Sequence, residues 1–222
     1  MSSKLQPVHQ QMLIDSAISE EVIAARGWKS ISAAEASAYG FQDYQCLSGL
    51  LVPSWGCDGE LKGHQLRADE PRINKDGKAV KYDTPTGTGN SLDVNPLMKD
   101  WICKADQIIY ITEGAKKVDS LASHGMVGIG LKGIYGWRGK NQSGTKSALG
   151  DWHDVAITAN HFRIAFDSDI KTNINISNSA KELTNFLNYK QAKSVEIIYL
   201  PYEGHEKKGI DDWLADKDKG IL

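Results

Sequence analysis

Cysteine and histidine are scarce in this sequence, and their spacing does not indicate a metal site. The three cysteines, Cys46, Cys57 and Cys103, are odd in number and lie far apart. They argue against a disulfide framework and against a structural zinc site, which would use Cys-x-x-Cys pairs. None of the six histidines forms a His-x-x-x-His pair, so a helical histidine zinc site is not indicated either.

Long apolar runs and an excess of positive charge are also missing. No run of eighteen apolar residues exists, and Met1 to Gln6 lack the apolar core of a signal peptide. We therefore expect a cytoplasmic protein without a membrane segment. The net charge of −2 gives no overall signature of nucleic-acid binding. A chain of 222 residues with 41% hydrophobic content is typical of one large globular domain or two small ones.

The rest of the chain is organised around a predicted strand and helix within residues 108–125. Residues 108–112, Ile-Ile-Tyr-Ile-Thr, form an apolar and β-branched run that is typical of a buried strand. Gly114 interrupts this run. Helical spacing then follows, at Ala115, Val118 and Ala122. Glu113 is therefore predicted at the carboxyl end of a strand, where open α/β sheets bind their ligands.

A second predicted strand, residues 162–166, ends in two carboxylates. Asp167 and Asp169 have the i, i+2 spacing that lets both side chains point the same way. Neighbouring parallel strands would bring them close to Glu113. Three carboxylates at such short distances repel one another unless a cation lies between them. Hard oxygen ligands of this kind suit Mg²⁺ or Mn²⁺. The alternative is that Glu113 caps its helix and the two aspartates begin a surface turn.

Two stretches of the sequence concentrate basic residues. Residues 61–81 contain Lys62, Arg67, Arg72, Lys75, Lys78 and Lys81, and residues 130–149 contain Lys132, Arg138, Lys140 and Lys146 without any acid. Either stretch alone would be explained as a solvated loop. Together, beside an acidic cluster, they favour a polyanionic substrate.

The order of the acidic motifs resembles the Toprim domain of primases, topoisomerases and some nucleases. Glu-Gly follows the first strand and Asp-x-Asp follows a later one. Predicted strands at 108–112, 126–130, 162–166 and 195–200 alternate with helices near 115–123 and 179–190. This alternation predicts an α/β fold with a parallel four-stranded sheet and helices on both faces.

The chain before this sheet resembles the N-terminal subdomain of bacterial DnaG-type primases. Residues 8–40 are predicted to be helical, with Ser and Gly at the helix ends. Residues 49–95 then change to β character, with a hairpin turn at Gly56 to Gly59. By this resemblance, Arg67, Lys81 and Tyr82 occupy positions that match those of the primase subdomain. We predict a helical segment over 1–45, a β-rich primase-like subdomain over 46–104 and a Toprim domain over 105–222.

Residues 139–147, Gly-Lys-Asn-Gln-Ser-Gly-Thr-Lys-Ser, look like a phosphate-binding loop. They carry one extra residue before Lys146, with no hydrophobic strand before them and no clear helix after them. A true P-loop is therefore not favoured. Contact of Lys132 or Arg138 with the phosphate of a nucleotide or template is the better interpretation.

Near the end of the sequence, Gly209 to Leu214 resemble the segment that closes primase Toprim domains, and they would also begin a helix. Together with Ile111 to Asp119 and Phe166 to Asp169, this segment resembles the Toprim-containing, primase-associated family found on bacterial plasmids, phages and mobile elements. The resemblance covers roughly residues 8–215.

The resemblance implies primer synthesis by metal-dependent nucleotidyl transfer, the reaction of a DNA primase. Asp167 and Asp169 would be the principal Mg²⁺ or Mn²⁺ ligands, and Glu113 a third ligand or a general acid/base. The cations implied for nucleotide and template binding are Arg67, Lys81, Lys116, Lys117, Lys132 and Arg138. The implied partners are a single-stranded DNA template, nucleoside triphosphates and a helicase or another replication module.

Two alternatives remain open at the level of sequence. A Toprim nuclease would use the same carboxylates to activate water. A non-catalytic nucleic-acid-binding module of a larger replication protein would need the fold but not the metal. The preference for ribonucleotides or deoxynucleotides is open as well.

Overall fold

The computed structural model describes residues 5–141, 143–202 and 207–220. Its α-helices are α1 (Pro7–Ile14), α2 (Glu20–Arg26), α3 (Ala33–Ala36), α4 (Ala115–Ser123), α5 (Ile174–Tyr189) and α6 (Ile210–Asp218). Its β-strands are β1 (Lys29–Ile31), β2 (Gly49–Trp55), β3 (Leu61–Ala68), β4 (Ile108–Glu113), β5 (Val127–Leu131), β6 (Arg138–Lys140), β7 (Lys146–Ala148), β8 (His161–Ile164) and β9 (Ser194–Ile197). No helix in these ranges is long and apolar enough to cross a membrane.

The N-terminal lobe, which contains α1 to α3, is built on a three-stranded antiparallel sheet in the order β1-β2-β3. The predicted helix ends are confirmed. Ser19 caps α2 by accepting a hydrogen bond from the Val22 amide, and Gly27 ends the helix in the left-handed conformation at φ 84°. The β2–β3 hairpin is confirmed too, with a turn at residues 56–60.

Strand β1 corrects the prediction of helical structure throughout residues 8–40. Lys29 pairs with Leu51, and Ile31 pairs with Gly49. Three residues have too little pattern of their own to indicate a strand. Their extended conformation depends on pairing with β2, which lies about twenty residues later in the sequence, so the signal is not local.

The sheet lobe, residues 105–220, confirms the predicted parallel sheet. Its four strands lie in the order β5-β4-β8-β9, and all neighbouring pairs are parallel. On one face, Leu183 of α5 packs in the same core as Ile109. On the other face, Leu121 of α4 and Leu214 of α6 pack with Tyr110. Helices therefore cover both faces of the sheet, as the sequence predicted.

The connection between β5 and β8 contains structure that the sequence did not indicate. Within its described residues this link forms an antiparallel hairpin of β6 and β7, followed by short 3-10 turns. The look-alike phosphate loop lies at the tip of this hairpin, except for Gln142, which lies outside the described residues. Helix α5 begins at Ile174, earlier than expected, because the Asn173 side chain caps it by accepting from the Asn175 amide.

The two lobes are joined through helix α4. Ala115 and Ala122 of α4 pack in one core with Val22 of α2 and Leu50 of β2. Beside this core lies a buried polar network centred on Arg26, which is fully buried. The Arg26 guanidinium donates to both carboxylate oxygens of Asp119 on α4, at 2.8 and 2.7 Å. The interface therefore fixes α4 against the N-terminal lobe.

Candidate functional site

The fold places a crevice at the carboxyl ends of β4 and β8. These strands are neighbours in the centre of the sheet, and the helices that follow them, α4 and α5, lie on opposite faces. Adjacent strands whose connections leave in opposite directions open a crevice at their carboxyl ends, where α/β proteins bind ligands. Glu113 is the last residue of β4, and Asp167 is the third residue after the end of β8. Both side chains therefore lie in this crevice.

The crevice opens into a cavity of about 640 Å³ between the two lobes. From the N-terminal lobe its lining includes Gln65, Lys81, Tyr82, Thr84, Thr88, Gly89 and Asn90. From the sheet lobe it includes Glu113, Gly114, Ala115, Lys117, Leu131, Lys132, Gly133, Asp167 and Lys207. A second cavity of about 350 Å³ shares several of these residues and adds Arg67, Lys116, Gly209, Asp211 and Asp212.

Gly114 gives the chain its turn from β4 into α4. Its backbone has φ 83°, a conformation that side-chain-bearing residues rarely adopt. The turn directs the first residues of α4 into the cavity, where Ala115 and Lys117 form part of the lining. The amides of the first helical turn carry partial positive charge, so this end of the cavity favours an anionic group.

The structure brings Glu113 and Asp167 together in opposite electrostatic situations. Burial, and then the neighbouring Asp167 carboxylate, raise the pKa of Glu113 above its ordinary value. Burial also acts to raise the pKa of Asp167, but Lys117 and Lys207 outweigh it and hold that pKa below its ordinary value. Asp167 is therefore a stably ionised group, whereas Glu113 takes up a proton more readily.

Two lysine ammonium groups lie between the carboxylates. Lys117 Nζ is 2.9 Å from Asp167 Oδ1, and Lys207 Nζ is 3.3 Å from Asp167 Oδ2 and 3.6 Å from Asp169 Oδ2. Lys116 Nζ lies 3.7 Å from Asp211 Oδ2. The predicted mutual repulsion of three carboxylates is therefore relieved largely by the chain itself, which the sequence pattern alone did not indicate.

The carboxylates still have the donor chemistry of a site for a hard divalent cation. Within the described residues, Glu113 Oε1, Asp169 Oδ1 and Asp211 Oδ1 are buried and have no hydrogen-bond partner. Such oxygens suit Mg²⁺ or Mn²⁺. In the same ranges no group of three His, Cys, Asp or Glu side chains is arranged to hold a metal ion. The donor types thus fit the cation, while the present arrangement holds lysine ammonium groups among them.

The predicted cations divide into those that line the cavities and one that does not. Arg67, Lys81, Lys116, Lys117 and Lys132 line one or both of them. Arg138 on β6 lines neither; it is ion-paired with Glu182 of α5 and lies over the Tyr135 ring, 4.5 Å from its centroid. Asp169 also lies outside the linings of both cavities. It is the second residue of a 3-10 turn that begins at Ser168.

Lys132 differs from the other cations because its ammonium is buried without a hydrogen-bond partner among the described residues. Burial lowers its pKa from the ordinary value. A buried ammonium group without a partner is unfavourable by itself, and an anionic ligand in the cavity would relieve that cost. Lys132 is therefore suited to contact a phosphate.

A buried aspartate holds the cation-bearing segment of the N-terminal lobe in place. Asp83 follows Lys81 and Tyr82 and accepts hydrogen bonds from the side chains of Arg72 and Gln45. Arg72, which the sequence grouped with the basic stretch, is thus engaged within the lobe. The held segment places the Tyr82 ring 5.6 Å from the Arg67 guanidinium, which keeps both at the cavity wall.

Some cavity residues escaped the sequence analysis. Lys207 lies two positions before the Gly209 to Leu214 motif and Asp211 lies within it, but the sequence interpretation gave neither residue a role in the site. Their proximity to Asp167 and Lys116 depends on α6 packing against α4, which joins parts of the chain about ninety residues apart. The motif itself was the available signal, since it places two acids directly at a helix N-terminus.

The raised pKa of Glu113 leads to a stability prediction. The folded state binds the Glu113 proton more tightly than the unfolded state, so this contribution to stability is present at acid pH and is lost as pH rises through the folded pKa. Glu113→Gln cannot ionise and should raise the melting temperature without added metal. We expect the gain to grow as pH rises from the ordinary carboxyl range, about pH 4–5, toward neutral.

Thermal unfolding across that range, with Glu70→Gln at an exposed site as the control, checks this prediction. A Gln variant that is no more stable than the parent at neutral pH, or one whose gain is largest at acid pH, would contradict it.

Comparison with solved structures finds similar folds among primases. The crystal structure of the zinc-binding and RNA polymerase domains of the Aquifex aeolicus primase matches with a TM-score of 0.63 and 13% identity, over 97% of this chain and 54% of that one. The E. coli primase catalytic core matches with a TM-score of 0.56 and 16% identity, over 94% and 70% of the two chains. The primase fragment of the bacteriophage T7 primase-helicase protein matches with a TM-score of 0.51 and 14% identity, over 100% and 73%.

These matches show that the chain has the fold of primase catalytic cores. The chain spans about half the length of the Aquifex structure. A search of curated proteins finds no match to the sequence. A protein-family model described as "Domain of unknown function (DUF3854)" matches residues 99–220, which is more than half of the chain and includes β4 to α6. The chain therefore belongs to the DUF3854 family.

Proposed function

We propose that this chain is a primase-type catalytic core that joins nucleotides into primers on single-stranded DNA by metal-dependent nucleotidyl transfer. One observation carries the proposal. A crevice with the carboxylates of Glu113 and Asp167 faces a wall that bears Arg67 and Lys81, and both walls belong to a fold shared with primase catalytic cores. Acids and cations facing one another suit a reaction between phosphates.

The cavity has the size and charge for a nucleotide. Its volume of about 640 Å³ lies within the range of about 300–1,000 Å³ typical of small-molecule sites. The first turn of α4 and the unpartnered Lys132 ammonium are placed to bind phosphate oxygens. Lys81 and Arg67, from the opposite wall, are placed to hold the template strand or the incoming nucleotide.

The acidic residues have separate roles in this proposal. Asp167 and Asp169 would be the principal ligands of Mg²⁺ or Mn²⁺, with Glu113 as a third ligand or as a general acid/base. When bound, the cation lowers the pKa of the attacking 3′-hydroxyl and neutralises charge on the leaving pyrophosphate. Asp167 stays ionised because of its lysine neighbours. Glu113 has a raised pKa and a free Oε1, so it is placed to accept or hold a proton at that atom.

The cationic wall leads to a prediction about DNA binding. Each single-strand phosphate contact makes the binding constant fall by about 0.7 log units per log unit of salt. The double variant Arg67→Ala/Lys81→Ala should therefore bind single-stranded DNA more weakly, with a slope reduced by about 1.4. Fluorescence anisotropy over a salt series measures both quantities.

Arg138→Ala is the matched control, because Arg138 belongs to the other basic stretch but lies outside the cavities. We expect its salt slope to equal that of the parent. The assignment of the cationic wall is wrong if the double variant keeps the parent slope.

Primer synthesis on single-stranded templates tests the proposed function. The parent protein is incubated with ribonucleotides or deoxynucleotides, with Mg²⁺, with Mn²⁺ or with a chelator. Extension products that require the metal support the proposal. Template cleavage without incorporation would replace it with a nuclease, and template binding without any chemistry would leave a binding module.

We also propose a replication protein of a plasmid, phage or mobile element as the setting, supported by the motif resemblance. A helicase or another replication module is the proposed partner. The similarity to a fragment of a T7 protein described as a primase-helicase supports the helicase.

A further inference from the structure

Lys117 places its ammonium group against Asp167, the carboxylate that would bind a metal cation in the proposed reaction. Its Nζ is 2.9 Å from Asp167 Oδ1, and its side chain is only 17% exposed. Burial acts to lower the pKa of Lys117, but the carboxylates of Asp167 and Asp211 outweigh it and raise that pKa above its ordinary value. The ammonium group is therefore a permanent positive charge against Asp167.

Gly209 makes the position of Lys117 possible. A Cβ atom on Gly209 would lie 2.1 Å from Lys117 Cε and 3.0 Å from Asp167 Oδ1. The backbone of Gly209 has φ −104°, which any residue can adopt, so glycine is not needed there for its conformational freedom. The absence of a side chain leaves the path along which Lys117 reaches Asp167.

The chain thus supplies its own counter-charge at the carboxylates. Lys117 and Lys207 neutralise Asp167, and Lys207 also lies 3.6 Å from Asp169. A divalent cation approaching Asp167 would meet the Lys117 ammonium at Oδ1 and the more exposed Lys207 ammonium at Oδ2. Two positive charges that share one carboxylate repel each other, and that repulsion opposes binding of the cation.

We propose that Lys117 is a built-in counter-ion that occupies Asp167 in place of a divalent cation, so that Mg²⁺ or Mn²⁺ binds only when the lysine leaves that carboxylate. The inference rests on the proposed function, because it concerns the cation of that reaction. Lys117 is in this view a positioning and regulatory residue, and it sets how tightly the free protein holds metal.

Titration of the full chain with Mn²⁺ alone, followed by electron paramagnetic resonance of the free ion, tests the proposal. Lys117→Met keeps the length and apolar stem of the side chain but removes its charge. We expect this variant to bind Mn²⁺ at least about tenfold more tightly than the parent. In the parent, the unit positive charge of Lys117 lies at contact distance from the carboxylate and repels the cation.

Lys116→Met is the matched control. It removes the same charge from the neighbouring position of α4, but its ammonium faces Asp211 at 3.7 Å and not Asp167. We expect its Mn²⁺ affinity to stay within about threefold of the parent. A Lys117→Met protein that binds Mn²⁺ no more tightly than the parent overturns the inference, as does an equal gain in both variants.

The parent protein provides a second measurement, which holds even where Lys117→Met does not fold. Acetic anhydride labelling, quantified at Lys117 by mass spectrometry, should rise severalfold on addition of Mn²⁺, because the released ammonium becomes accessible. Labelling that Mn²⁺ leaves unchanged or lowers overturns the inference. Both measurements omit nucleotide and template, so a failure of primer synthesis would refute the proposed function without altering these results.

Discussion

Asp167→Asn is expected to abolish metal-dependent primer synthesis and to lower the melting temperature of the metal-free protein. Loss of a charged ligand removes several kcal/mol of charge stabilisation from the transition state, which corresponds to a fall of about a thousandfold in rate. Nucleotide incorporation with Mg²⁺ or Mn²⁺ measures that loss. The effect on stability follows separately, from the lysines.

The stability effect reverses what the sequence indicates. Three close carboxylates without a cation predict that removing one of them relieves repulsion. In the structure Asp167 is 9% exposed and Lys117 is 17% exposed, and the two form a close ion pair. Removing one partner of a buried pair leaves the other charge uncompensated. For this partly exposed pair we expect a loss of about 2–3 kcal/mol, which lowers the melting temperature by about 5–10 °C.

Asp169→Asn is the matched control for separating the two effects. Asp169 is ion-paired with Lys207, which is 51% exposed, so little charge is left buried when the carboxylate is lost. We expect it to lose synthesis with a stability change below about 1 kcal/mol. If the Asp167→Asn variant melts at or above the melting temperature of the parent, the ion pair between Lys117 and Asp167 does not stabilise the fold.

The fold could be predicted from the sequence where the signal is local. The apolar run at 108–112, the glycine at 114 and the helical spacing after it describe a buried strand and its helix without knowledge of any partner. Strand β1 lacked such a signal, because its three residues are extended only through pairing with β2. The hairpin in the link between β5 and β8 was not predicted for a similar reason, since it has only three residues in each strand.

The candidate site was predictable in its position and less so in its electrostatics. Parallel strands align their carboxyl ends, so Glu113 and Asp167 were expected to meet, and both line the same cavity. The sequence did not show that Lys117 and Lys207 would reach Asp167, because that depends on α6 placing Gly209 against α4. Charge counts along the chain carry no information about such pairing.

The basic stretches show the same limit from the other side. Lys132 and Arg138 lie six positions apart in one acid-poor stretch and were given the same role. The turn after β5 directs Lys132 into the cavity, where its ammonium is buried without a described partner. Arg138 instead meets Glu182, which lies on a helix more than forty residues later. A residue's neighbours in space, and not its neighbours in sequence, separate these two cations.

The interface network gives the second large expected effect. Arg26 is fully buried and donates to Asp119 on α4 and to Asp93 Oδ1 at 2.8 Å. Asp119 also accepts hydrogen bonds from Trp28 Nε1 at 2.6 Å and Asn95 Nδ2 at 2.7 Å. Burial acts to lower the pKa of Arg26, but Asp119 and Asp93 outweigh it and hold that pKa above its ordinary value, so the guanidinium is charged. The network connects the N-terminal lobe to the helix that carries Lys117.

Arg26→Met and Asp119→Leu should each destabilise the protein by about 3–5 kcal/mol, because the first leaves Asp119 buried without its cation and the second leaves Arg26 with only Asp93 as a counter-charge. The double variant removes both charges and should lose less than the sum of the single losses, by about 1–3 kcal/mol. Urea unfolding of the parent, the two single variants and the double variant measures this coupling. The surface pair Lys29–Glu35, whose charged atoms lie 3.5 Å apart, serves as the control, with an expected coupling of no more than about 0.5 kcal/mol.

Coupling of that size would mean that the lobes unfold as one unit, since the pair spans their interface. It would also mean that the cationic wall and the carboxylate wall keep a fixed spacing, because Asp119 lies two positions after Lys117 on α4. Losses that add within about 0.5 kcal/mol would contradict this, because independent sites behave that way. The cavity would then be held by the apolar packing of Ala115 and Ala122 against α2 and β2, with the ion pair contributing to each lobe alone.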